Sequence, residues 1–184
     1  MSAHHTSLLP SAWVLRFSAL VADGARVLDV ACGLGRHSRW FAARGFRVVA
    51  VDRDTAALDQ LASVAGVTAV SADLETQPWP FETEKFDAII VTHYLHRALF
   101  PNLLQVLADD GVLLYETFAR GNEAYGKPSN PDFLLTEGEL LTIVGRSLVV
   151  VAFEQGRIES EPPVVVQRLA AVGRRRSWPP PLPV

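Results

Sequence analysis

Apolar runs of four to eight residues recur along the chain and alternate with segments of helical period, the pattern of a parallel sheet covered on both faces. These runs predict strands at Arg26–Val30, Arg47–Val51, Val67–Ser71, Phe86–Thr92 and Gly111–Glu116. Helices are predicted between them at Arg36–Ala43, Thr55–Ala65 and Pro101–Ala108, with a proline-rich connection through Asp73–Glu84. In the second helix Leu58, Leu61, Ala62 and Ala65 fall at i, i+3, i+4 and i+7, one stripe that can pack on a sheet. Asp54 stands before it as an N-cap. Pro101 suits a first helical turn, and Gly111 lets the chain turn back into a strand. Ahead of the first strand, Ser11–Leu20 reads as a helix whose Trp13 and Phe17 share a face. That face packs on the sheet or closes over a ligand as a lid; packing is favoured, and the same helix could do both.

The pattern changes after Glu116. Thr117–Leu135 contains Gly121, Gly126, Pro128, Asn130 and Pro131 and no sustained period, so it reads as a long loop, a kind of segment that often carries function. Thr136 and Glu139 form a capping box that opens a helix through Val144. Two strands follow, Leu148–Gln155 and Val164–Val172, joined through Gly156–Pro163 as an antiparallel hairpin. No internal repeat is seen. The chain is expected to form one domain over residues 1–173, ending in a flexible, solvated basic and proline-rich tail over 174–184.

Composition narrows the class. The chain has 184 residues, 49% apolar and 20% charged, as expected for a globular domain able to bury its own core. Its apolar runs are far shorter than the roughly 20 residues that cross a bilayer. The first eleven residues lack the charged, apolar and cleavage segments of a secretory signal, so a cytoplasmic location is expected. The single cysteine, Cys32, agrees with a reducing compartment and reads as a small buried filler. A net charge of −3 and a pI near 5.9 disfavour nucleic acid and favour a small-molecule partner. The pattern leaves monomer and homodimer open.

The segment Val27-Leu28-Asp29-Val30-Ala31-Cys32-Gly33-Leu34-Gly35-Arg36-His37-Ser38 is a buried strand running into a glycine turn and a helix. Gly33 and Gly35 permit backbone angles costly to other residues and a close approach to a ligand. Asp29 is expected at the mouth of this turn, where a carboxylate suits the ammonium of an amino-acid moiety better than a pyrophosphate. The second strand ends in Asp52, placed to accept the hydroxyls of a ribose. The third ends in Ala72-Asp73-Leu74, with Asp73 placed to accept from an adenine amino group. A nicotinamide-dependent oxidoreductase is the competing reading, weakened by Asp29 and by the absent third glycine, since Ser38 and Ala31 stand where glycines would be needed.

In these segments the sequence resembles the class I S-adenosylmethionine-dependent methyltransferases. The glycine turn is similar to that family's first motif, Val51-Asp52 to its acidic second strand end, and Ala72-Asp73-Leu74 to its adenine-contacting segment. Phe86–Val91 and Gly111–Glu116 are similar to its fourth and fifth strands. The resemblance implies a doubly wound α/β, Rossmann-like sheet of seven strands in order 3-2-1-4-5-7-6, the seventh antiparallel. It also implies that S-adenosylmethionine is held by Asp29, Ala31, Cys32, Gly33, Gly35, Asp52, Arg53, Asp73 and Leu74. The loop Thr117–Asn122 through Leu140 is similar to bacterial tellurite-resistance-like methyltransferases.

A sulfonium methyl is already activated, so positioning is the main task the resemblance sets. His93, beyond the fourth strand, is the candidate general base, with local pocket shaping as its competing role. Tyr94, Arg97, Glu116 and Arg120 are candidate contacts to a small-molecule acceptor, the arginines for an anionic one. His4, His5 and His37 show no metal-ligand spacing, so no metal is expected. Thr92-His93-Tyr94-Leu95 lacks the Asn/Asp-Pro-Pro-aromatic cluster of amino-directed DNA methyltransferases. A binding module without turnover is the remaining alternative.

Overall fold

A computed structural model describes residues 9–182. In chain order the main elements are α1 (Ala12–Phe17), β1 (Arg26–Val30), α2 (Arg36–Ala42), β2 (Arg47–Asp52), α3 (Thr55–Asp59), β3 (Val67–Ser71), β4 (Phe86–Thr92), α4 (Phe100–Val106), β5 (Leu107–Phe118), α5 (Glu139–Val144), β6 (Leu148–Ile158) and β7 (Val164–Gly173). The sheet runs β3-β2-β1-β4-β5-β7-β6, with β7 antiparallel to both of its neighbours. This is the expected order.

Successive side chains of a strand point to opposite faces, so the apolar runs feed two cores. On β4, Ile89 and Val91 pack with Phe100, Leu103 and Tyr115, whereas Ala88 and Ile90 pack with Trp13, Phe17 and Phe41. Trp13 and Phe17 are therefore core residues. Their rings lie 4.5 Å apart, and the Trp13 indole N–H donates to the Leu169 carbonyl, so this face of α1 packs on the sheet.

Several boundaries differ from expectation. Asp54 caps α3 through its contact with the Ala57 amide, but the helix ends at Asp59. Residues 60–66 turn back towards β3 through Gly66 at φ +85°, which leaves Ala62 and Ala65 exposed while Leu58 and Leu61 stay buried. Gly111 lies inside β5, because pairing with β4 continues back to Phe86 and Leu107 across a register shift. Glu139 accepts from both the amide and the hydroxyl of Thr136, yet Gly138 is the N-cap, so α5 starts two residues later than expected. The tail is fastened at its base. The Arg176 guanidinium donates to the carbonyls of Leu20 and Asp110, and Arg175 pairs with Asp109 at 3.1 Å.

Candidate active site

Parallel strands end together, so the turns after β1, β2, β3 and β4 meet on one edge. Cys32 donates its amide to the Val51 carbonyl, and the Gly33 amide donates to Asp52 Oδ2 at 2.7 Å. The second Asp52 oxygen accepts from the Asp54 amide at 2.9 Å. Asp52 is thereby fixed between the glycine turn and the second strand end, with further lone pairs available to hydroxyl donors.

Ala31, Gly33 and Gly35 have φ of +52°, +53° and +71°. The two glycines serve different ends. A Cβ on Gly35 would lie 2.4 Å from Leu61 Cδ2, so the start of α2 seats against Leu61, in the turn after α3, because none is there. A Cβ on Gly33 would meet no atom within 4 Å, so its exposed backbone fronts open space where a ligand can approach. Ala31, Asp52, Asp73 and Leu74 line a cavity of about 260 Å³ at this edge. Asp73 Oδ1 accepts from the Glu75 amide, and that bond holds its carboxyl below the usual carboxylate range.

Asp29 does not stand at the mouth. It is 2% exposed, and one carboxylate oxygen accepts from the Ser38 amide at 3.0 Å and from the Ser38 hydroxyl at 2.6 Å. The short strand-to-helix turn draws this side chain under the start of α2, where it satisfies an otherwise orphaned amide. Burial raises its carboxyl to about 6 against these hydrogen bonds. Cys32 is likewise buried, with its thiol pushed up by desolvation, as befits a filler.

A larger cavity of about 700 Å³ adjoins the first, and Arg53, Glu75 and Tyr94 line both. His93 and Phe118 form part of its wall, their rings 5.0 Å apart and nearly parallel. His93 adopts φ +55°, an angle that costs a non-glycine residue roughly 1 kcal/mol, and its amide donates to the Glu116 carbonyl. Its side chain is 46% exposed, with Nε2 3.8 Å from the Glu116 carboxylate. Glu116 is 5% exposed and does not face the cavity; Ser11 donates to it and Arg168 pairs with it at 2.8 Å. It lies behind His93 and lines neither cavity.

The other candidates separate. Tyr94 faces both cavities, and burial raises its phenol. Arg97 is committed elsewhere: it pairs with both Glu139 oxygens and donates to the carbonyls of Asp132 and Leu134, clamping the long loop. Arg120 lines a different cavity behind that loop. Sequence reasoning missed Arg36, whose guanidinium reaches Thr92 Oγ1 at 3.4 Å beside Glu116, and Lys127 and Phe133, which the loop brings to the larger cavity. Arg36 follows Gly35 directly and was open to notice; Lys127 and Phe133 carried no periodic signal. His37 is buried and neutral, its titration lowered to about 3 by desolvation, and its Nε2 accepts from the Ser11 amide. Among the described residues no group of three or more His, Cys, Asp or Glu could hold a metal ion, and no helix is long and apolar enough to cross a membrane. His4 and His5 lie outside the described residues.

A family model described as a methyltransferase domain matches residues 27–111, the segment from β1 into β5. Among solved structures, TehB from Haemophilus influenzae superposes with a TM-score of 0.74 at 17% identity, over 93% of this chain and 64% of that one. The chain thus spans less than two thirds of that protein's length. A TehB-like S-adenosylmethionine-dependent methyltransferase from Corynebacterium glutamicum gives 0.62 at 18% identity, over 88% and 87% of the two chains. Coclaurine N-methyltransferase bound to N-methylheliamine and SAH gives 0.60 at 18%, over 79% and 50%. Among curated proteins, none matches the sequence. The strand order is that of the class I S-adenosylmethionine-dependent methyltransferase fold, and within it residues 27–111, just under half of the chain, are similar to a methyltransferase domain.

Proposed function

We propose that this protein transfers a methyl group from S-adenosylmethionine to a small-molecule acceptor. The observation that carries the proposal is the pair of adjoining cavities at the strand ends, one edged by Asp52 and Asp73, the other by His93 and Phe118. The residues present fit the cofactor. Gly33 presents bare backbone to open space, Asp52 keeps acceptor capacity for ribose hydroxyls, and Asp73 and Leu74 suit the adenine edge. Arg36, beside Thr92, suits the carboxylate of the methionine moiety. Asp29 acts beneath the site, holding the start of α2.

When bound, S-adenosylmethionine supplies a methyl group already activated by its sulfonium. Tyr94, at the junction of the cavities, and Phe118 position the acceptor and exclude water. Where the acceptor atom carries a proton, the His93 imidazole would take it as the methyl group is transferred. Glu116, buried behind Nε2, stabilises the imidazolium so formed. Release of S-adenosylhomocysteine with any acceptor establishes transfer and excludes the binding-module alternative. Thermal stabilisation by NAD and not by S-adenosylmethionine would support the oxidoreductase instead.

A further inference from the structure

The larger cavity has a composition of its own. Phe118, Phe133 and Leu95 give it an apolar body, while Lys127 and Arg53 stand on its wall against one carboxylate, Glu75. Among the described residues the Lys127 ammonium has no hydrogen-bond or ion-pair partner. The segment that carries it is held on both sides. The buried Asn122 side chain donates to the Pro128 carbonyl at 3.1 Å and accepts from the Val165 amide, and the Arg97 clamp grips the chain at Asp132 and Leu134. A cation and an aromatic ring are thus presented to the cavity from a fastened loop, whereas a merely solvating lysine needs no such fixing.

We infer that the methyl acceptor is a small organic acid, its apolar or aromatic body lying between Phe118 and Phe133 and its anionic group pairing with Lys127. This rests on the methyl-transfer reading and specifies its substrate. A single apolar wall would not discriminate charge, and a cation alone would not require a cavity of about 700 Å³. Arg53, shared with the cofactor cavity, adds to the positive field, and Glu75 opposes a second negative group on that side.

The test compares para-mercaptobenzoate with para-methylbenzenethiol, binding to protein saturated with S-adenosylhomocysteine, by calorimetry. The wild type should bind the acid about tenfold more tightly or better, as one charge-assisted contact provides. Lys127→Met should remove that preference and Lys127→Glu reverse it, both leaving S-adenosylhomocysteine affinity unchanged. Equal binding of the two thiols, a preference that survives Lys127→Met, or no binding of either below millimolar concentration overturns the inference. Failure of S-adenosylhomocysteine itself to bind overturns the methyl-transfer reading and this inference with it, a result distinguishable from the others.

Discussion

The hydroxyl of Ser11 donates to the Glu116 carboxylate, with oxygen separations of 3.2 and 3.1 Å across 105 positions of sequence. The same hydroxyl caps α1 through the Trp13 and Val14 amides. One side chain therefore ties the first helix to the carboxylate behind His93. Ser11→Ala should cost about 1–2 kcal/mol of stability by loss of a cap and a buried partner, measured by urea denaturation. The turnover number should fall as well, because Glu116 loses an anchor. Undiminished stability would show that the contact is incidental.

The two glycines of the turn should separate packing from binding. Gly35→Ala places a Cβ 2.4 Å from Leu61 and should lower the melting temperature by several degrees. Gly33→Ala meets open space and should cost only about 1–2 kcal/mol for its left-handed backbone. With the cofactor assigned to this turn, its added methyl should nonetheless lower affinity for S-adenosylhomocysteine more than the Gly35 variant does, once the folded fraction is allowed for. The reverse ranking would contradict the assignment.

Asp29 and His37 oppose each other in pH dependence. Burial lowers His37 to about 3, so unfolding takes up a proton on it as pH falls below about 6.5, which destabilises the fold. Burial raises Asp29 to about 6, so between about pH 6 and 4 the native state holds a proton that the unfolded state lacks, which offsets the histidine. Asp29→Asn removes the offset. Relative to wild type, the variant should lose stability from pH 6 to pH 4 by up to about 1.4 kcal/mol per pH unit, read from urea denaturation at each pH. Parallel curves would refute the shift.

Arg97 holds the loop that walls the larger cavity, through two carbonyls and both oxygens of Glu139. Arg97→Lys keeps the charge and loses the planar fork. It should raise the KM for the acceptor about tenfold, leave kcat within about twofold, and leave cofactor affinity unchanged. A loss confined to kcat would place Arg97 in the chemistry instead.

Strand order and both cores were legible because period-2 and period-3.6 apolar patterns report directly on which faces are buried, as Ile89 and Ile90 illustrate. Asp52 and Asp73 were legible because parallel strands must end on one edge. The direction of the Asp29 side chain was not, since burial under α2 depends on a turn of a few residues and on the Ser38 hydroxyl. Arg97 illustrates a second gap. A loop arginine reads alike whether it meets a substrate or three distant groups of its own chain. Lys127 and Phe133 reach the cavity through contacts at Asn122 and Arg97 that no local pattern announces.

Titration of S-adenosylhomocysteine into wild type and Asp52→Ala by calorimetry tests the central claim most directly. Binding at one site per chain in the wild type, weakened at least about tenfold in a variant that remains folded, is the predicted result. Equal affinity in both proteins, or no binding to the wild type, would contradict a cofactor site built on Asp52.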